Sequence, residues 1–221
     1  MKKHLLLFVF PIFFWSCSHT SETKTVVNAS DTIINFVDKT KTDVRKVDLK
    51  SAIIHMTSSV MGLSQSIIVY MDDYGKKQAT EVTQELLGKK IHQYSVNDSL
   101  YIYSFDPEHK KGQKAKIDEN NPDDINFNAI TREMAQRFHL RKKGTATVIG
   151  KKCDVFAVDF AGTKLQATFY IWKGIPLKTE STVSGISVKM EATKIEENVP
   201  IAAEKFQIPN DIVFEETAKL N

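Results

Sequence analysis

Apolar and polar residues begin to alternate at Val47, and this alternation organises most of the chain that follows. Ala52, Ile54, Met56, Ser58 and Val60 alternate with Ile53, His55, Thr57 and Ser59. Beyond Gly62, Ile67, Val69 and Met71 alternate with Ile68 and Tyr70. A period of two is the mark of a strand, whose successive side chains point to opposite faces, so this stretch predicts a strand pair. Asp72-Asp73-Tyr74-Gly75 is turn chemistry, and Lys77 to Leu86 follows as a Thr-rich strand, polar on both faces, expected in a solvated or edge position. Ile91 to Val96 and Leu100 to Phe105 are two more strands, with Tyr101, Tyr103 and Phe105 aligned on one face.

The period then changes. Asp106 to Asp124 reads as a charged, solvated loop. Its acids, Asp118-Glu119 and Asp123-Asp124 among them, invite a calcium site, but the glycine and the closing bidentate glutamate of a standard calcium loop are missing. Asn126 or Asn128 then serves as an N-cap, and Phe127, Ile130, Met134 and Phe138 recur at helical spacing through Leu140, with Arg141, Lys142 and Lys143 favourable near a helix C-terminus. Such an amphipathic stripe either packs on the sheet or forms a lid over a cavity.

After Gly144 the two-residue period returns. Thr145 to Ile149 and Cys153 to Phe160 flank Gly150-Lys151-Lys152. Leu165, Ala167, Phe169 and Ile171 alternate with Gln166, Thr168, Tyr170 and Trp172, and Lys173-Gly174 is a two-residue hairpin turn. Leu177 to Val183 and Ser187 to Glu196 complete a meander around Ser184-Gly185. Twist accumulates between neighbouring strands, so about ten of them in one antiparallel sheet must curl. The expected class is mainly β with a small α part: a strongly curved antiparallel sheet, an incomplete barrel, with one inserted helix packed on or over its concave face.

The first residues follow another logic. Lys2, Lys3 and His4 precede an apolar run from Leu5 to Trp15, then Ser16 and Cys17. This is the layout of a secretory signal, and it is too short to span a bilayer comfortably. Residues 1–16 are thus expected to be removed. Phe14-Trp15-Ser16-Cys17 resembles a bacterial lipobox, which implies acylation of Cys17 and a stable membrane anchor. Ser18 is not the aspartate of the inner-membrane retention signal. Residues 17–46 read as a lipidated N-terminus and polar tether, interrupted by Ile33-Ile34-Asn35-Phe36-Val37, a short strand or docking segment. Asp31-Thr32-Ile33 and Asp98-Ser99-Leu100 match a three-residue O-glycosylation pattern of some Gram-negative envelopes. Residues 47–221 form the folded domain.

Charge narrows the partners. Of 30 cationic residues against 27 acids, Lys2 and Lys3 belong to the signal, so the formal charge of +3 falls to +1 in the mature chain. Only Arg45, Arg132, Arg137 and Arg141 offer the forked guanidinium suited to phosphates and bases, which argues against nucleic acid. Cys17 and Cys153 are the only cysteines, so no disulfide framework is implied. Once Cys17 is acylated, Cys153 is the one free thiol, expected to be buried and inert in a strand of alternating apolar residues.

Four strings carry a family likeness: Gly150-Lys-Lys-Cys153-Asp-Val-Phe156, Tyr170-Ile-Trp172-Lys-Gly174-Ile-Pro176-Leu-Lys178, Met190-Glu-Ala-Thr193-Lys-Ile195 and Phe206-Gln-Ile-Pro209. They resemble the C-terminal half of the outer-membrane lipoprotein carrier and receptor (LolA/LolB-like) superfamily, and most of all an uncharacterised branch of exported Gram-negative proteins within it. The resemblance implies a half barrel closed by helices over an apolar cavity that accepts acyl chains. No arginine of the early strands matches the carrier's cavity arginine, and one helix stands where the carriers have several. An anchor at Cys17 is closer to the membrane-bound receptor.

No His-x-x-x-His or Cys-x-x-Cys spacing, no Gly-x-Ser-x-Gly elbow and no phosphate-cradling loop appears. The expectation is therefore a non-enzyme without metal or cofactor: a lipid-anchored envelope protein, on the outer membrane facing the periplasm, that binds a lipid, lipoprotein or other hydrophobic ligand. Candidate cavity walls are Ile54, Met56, Ile68, Tyr70, Tyr101, Tyr103, Met134, Phe138, Phe169 and Trp172. Alternation does not decide which face lines the inside, because both faces of several strands carry apolar residues. The alternatives are a packed scaffold or sensor, and a hydrolase whose site is assembled only in space.

Overall fold

The computed structural model describes residues 34–37, 45–98, 100–117, 124–159 and 165–217. Cys17, Asp31-Thr32-Ile33, Ser99 and the acidic residues 118–123 lie outside these. Twelve strands form one curled sheet: β1 (Ala52–Val60), β2 (Leu63–Asp72), β3 (Lys77–Leu86), β4 (Lys89–Asn97), β5 (Tyr101–Asp106), β6 (Lys111–Lys116), β7 (Arg141–Val148), β8 (Lys151–Asp159), β9 (Gln166–Trp172), β10 (Ile175–Val183), β11 (Ile186–Glu197) and β12 (Val213–Glu216). Their order is β12-β6-β5-β4-β3-β2-β1-β11-β10-β9-β8-β7. Two antiparallel meanders, β1 to β6 and β7 to β11, are thus joined where β1 pairs with β11, and β12 adds to β6 in parallel. Irregularities at His55/Met56, Pro176/Lys178 and Lys142/Gly144 bend the ladders.

Three parts of this differ from the sequence expectation. Two strands were not foreseen: β6 lies in the charged segment read as loop, and β12 is a short addition near the C-terminus. Lys77–Leu86 is not an edge strand; β3 is interior, hydrogen-bonded between β2 and β4. Its polar residues Thr80 and Gln84 are buried, so polarity there reflects an inward polar row, not solvent. The helix is also short. Helix α1 spans Arg132–Arg137, capped by Thr131, whose hydroxyl oxygen accepts from the Met134 N–H at 3.2 Å. Asn126 instead holds a turn, its side-chain oxygen accepting from the Asn128 N–H at 3.0 Å, and Arg141 to Lys143 open β7.

Three apolar clusters hold the sheet. The first gathers Ile54, Met56, Ile67, Val69 and Val82 with Val47, Leu49, Cys153, Ile175 and Leu177. The second places Ile130, Phe138 and Leu140 of the α1 segment on Phe156, Val158, Ala167, Phe169 and Ile171. Ile34 packs against it, and the Val37 N–H donates to the Ile130 carbonyl at 2.9 Å, so residues 34–37 dock here. The third sets Ile201, Phe206, Ile208, Ile212 and Phe214 of the C-terminal segment over Tyr70, Ala79, Val96, Phe105, Tyr94 and Tyr103. Lys205 clamps that segment, its Nζ 2.6 Å from Glu81 Oε1 and 4.7 Å from the Tyr70 ring centre. The Glu81 carboxylate pushes the Lys205 pKa up.

Cys153 is fully buried in the first cluster, and burial pushes its thiol pKa up. Alkylation by iodoacetamide at neutral pH is therefore expected to be negligible in the folded protein and complete in denaturant. A native protein labelled as fast as the denatured one would show that this part of the core opens freely.

Candidate functional site

The ten residues proposed as cavity walls are divided among three places. Ile54 and Met56 lie in the first cluster, with Trp172 packed against it. Met134, Phe138 and Phe169 meet in the second, and Ile68, Tyr70 and Tyr103 in the third. Tyr101 lies beside Tyr103, ring centres 6.0 Å apart, with Lys114 Nζ 4.8 Å above it. The aromatic face of β5 is thus covered by the chain's own C-terminal segment: Phe214 meets Tyr103 edge-on at 5.1 Å and Phe105 at 6.0 Å.

The sheet face beneath α1 continues across the molecule. Directly paired residues share a face, and one row runs Phe156, Phe169, Thr179, Met190, Ser58, Gln65, Gln84, Ile91 from β8 to β4. The α1 segment packs on this side. From β1 to β4 the face carries apolar and uncharged polar side chains, and its one charged residue is Lys89, at the β4 tip opposite Leu86.

At one end of this face the strand tips expose large apolar side chains. Met61, Leu63, Leu87, Ile91 and Ile186 are all exposed, and they belong to the β1–β2, β3–β4 and β10–β11 hairpins. Val60 pairs with both Leu63 and Val188, Gln84 with Ile91, and Val183 with Ile186, so these tips lie together on the neighbouring strands β4, β3, β2, β1 and β11. Turn chemistry does not call for such residues. Met61 and Leu87 precede glycines and have φ of 52° and 53°, a left-handed conformation that asparagine or glycine adopts at lower cost. Both are nevertheless apolar and reach 76% and 96% exposure. Ile149, in the same conformation at the other end, is half-buried against the first cluster. An apolar rim of this kind is a candidate contact surface. Period-two alternation does not register the rim, because tip residues interrupt it; the apolar-Gly pairs Met61-Gly62 and Leu87-Gly88 are its signal in the sequence.

The end opposite the rim receives the N-terminal segment. The Asp48 N–H donates to the Lys173 carbonyl at 3.0 Å, and Asn128 Nδ2 donates to the Lys46 carbonyl at 3.2 Å. Lys151 and Lys173 both bind Glu197, at 2.5 and 3.4 Å, and hold its carboxyl below the usual range.

A separate groove of about 290 Å³ is lined by Arg141, Asp159, Gln166, Thr168, Glu180 and Thr182 among others, mostly on the opposite face of the same strands. Its hydroxyl, amide and charged lining suits a polar ligand, not an acyl chain. Among the described residues no group of three or more His, Cys, Asp or Glu side chains is placed to hold a metal ion. No helix among them is long and apolar enough to cross a membrane.

No family model matches the chain, and no curated protein does. Among solved structures, an uncharacterised conserved protein from Thermus thermophilus overlays with a TM-score of 0.54 at 8% identity, covering 77% of this chain and 92% of that one. The likeness is one of fold. MucB in complex with MucA from Pseudomonas aeruginosa gives 0.45 at 16% identity, and this chain spans about half of it, 73% of this chain against 55% of that one. An outer-membrane lipoprotein-sorting protein domain from Vibrio parahaemolyticus gives 0.34 at 8% identity, covering 71% and 88%. Overlays as loose as these last two do not bear on function.

Proposed function

We propose that the protein is an exported, non-catalytic envelope protein, anchored through an acylated Cys17, that takes an acyl chain or other hydrophobic ligand across the apolar rim onto the sheet face behind it. The rim carries this reading: five exposed apolar side chains on adjacent tips, two of them in backbone conformations that favour other residues. The face behind it, nearly free of charge from β1 to β4, is compatible with a neutral chain. The lipobox-like Phe14-Trp15-Ser16-Cys17 supports the anchor and the envelope address.

The test is native mass spectrometry of the full mature chain carrying Cys17→Ser, exported behind a cleavable signal. A lipid adduct lost on denaturation is expected, and the double variant Met61→Asn, Leu87→Asn is expected to lose it. That variant should melt no lower than the parent, because asparagine suits both turn positions and each replacement is worth up to about 1 kcal/mol. A clean apo mass, unchanged after incubation with phospholipid, would overturn the reading. It would favour a second one, for which the tight packing of Ile54, Met56, Ile67 and Val69 speaks: a scaffold or sensor whose rim docks another envelope protein.

A further inference from the structure

Gln84 stands one ladder rung inside the rim, paired with Gln65 on one side and with the exposed Ile91 on the other. It is only 4% exposed, and its amide is half used. Gln84 Oε1 accepts from Gln65 Nε2 at 3.1 Å, which leaves Nε2 as the free end of the amide. Gln84 Nε2 is shielded from solvent and has no hydrogen-bond partner, the one such side-chain atom among the described residues. A buried amide donor without an acceptor destabilises a protein more than an apolar side chain of the same size would. Its presence between Val82 and Leu86, on a strand that is otherwise well paired, calls for an acceptor that the chain itself does not supply.

We infer that Gln84 Nε2 is the recognition point for a carbonyl oxygen, that of an acyl ester or acyl amide, whose methylene chain lies along the rim. The inference rests on the proposed role as a hydrophobic-ligand binder and adds the polar group that such a ligand must present. A neutral carbonyl fits better than a carboxylate or phosphate, because from β1 to β4 this face offers a buried amide N–H with Lys89 as its only cation, out at the strand tip. The exposed side chain of Ile91 rotates aside to admit the ligand, a motion that needs no change in strand pairing. Gln65 is the positioning residue: without it the Gln84 amide is free to turn its oxygen toward the ligand.

Calorimetric titration of the mature Cys17→Ser chain with three probes tests this: 1-lauroylglycerol, N-(2-hydroxyethyl)dodecanamide and 1-O-dodecylglycerol, the ether that lacks the carbonyl. The parent is expected to bind at least one carbonyl probe about tenfold more tightly than the ether, and whichever probe wins tells an ester from an amide. Gln84→Met is expected to bind all three alike, at the affinity of the ether, while melting at or above the parent temperature. Gln65→Met is expected to lose part of the preference. Equal binding of carbonyl and ether probes by the parent would overturn the role of Gln84 and leave the binder standing, as would a Gln84→Met variant that loses affinity for all three alike. No binding of any probe would overturn both.

Discussion

Phe138→Ala is expected to cost about 4 kcal/mol and to lower the melting temperature by about 8–16 °C. Phe138 is 1% exposed and fills the second cluster between the end of α1 and the β8–β9 face, among Phe156, Val158 and Phe169. Its backbone is committed as well: the Phe138 N–H donates to the Met134 carbonyl at 3.0 Å, and its own carbonyl accepts from the Asp159 N–H at 2.9 Å. Neither neighbour can collapse into the space without breaking one of these bonds, so most of the cavity persists. α1 is two turns long and has no independent stability, so losing its anchor releases the segment and exposes Phe169. Phe138→Leu, which keeps most of the volume, is expected to cost under about 1.5 kcal/mol. A fall of less than about 3 °C in the alanine variant would show that the segment is not held by this side chain.

Gly174→Ala is expected to destabilise by about 3 kcal/mol through a different cause. Gly174 has φ of +80°, and a Cβ there would overlap the Lys46 carbonyl oxygen and come within 2.7 Å of Asn128 Nδ2. The obstruction is backbone, so residues 46–48 must move off the β9–β10 hairpin, breaking the bonds from Asp48 and Asn128 and withdrawing Val47 from the first cluster. Gly185→Ala is the control: its φ is +81°, yet nothing lies within 4 Å of the added carbon. It is expected to cost about 1 kcal/mol, the price of the left-handed backbone alone. Equal melting temperatures for the two variants would mean that the segment around Lys46 is not docked.

These sites show how far the sequence could be read. Period-two alternation located the long strands because one face of each is packed, and Lys173-Gly174 marked its hairpin through turn chemistry. β6 escaped because Lys-Gly-Gln-Lys-Ala-Lys buries only Gly112 and Ala115, residues too small to register as apolar; Gly112 is there to admit the Phe214 ring. β3 was mistaken for an edge because Thr80 and Gln84 look solvated when their ladder partners are unknown. Helical spacing overextends the helix because Phe127 and Ile130 keep it while Asn126 hydrogen-bonds locally against it. Nine of the ten candidate walls lie in three packed clusters, whereas the rim and Gln84 depend on which strand tips and rungs become neighbours. That is a property of sheet order, which no local pattern encodes.

The join between β1 and β11 has a consequence for how the chain is made. Each meander consists of hairpins between consecutive segments, which close short loops and form early. The seam is different: Ala52 lies opposite Glu197 and Val60 opposite Val188. A chain is made from its N-terminus, so β1 waits with one side unpaired until almost the whole domain has been synthesised. During that interval the apolar side chains of β1 and β2 lack the strand that later covers their free side. Making this fold therefore carries a built-in interval of aggregation risk, and a holding chaperone would act on the incomplete chain at that seam.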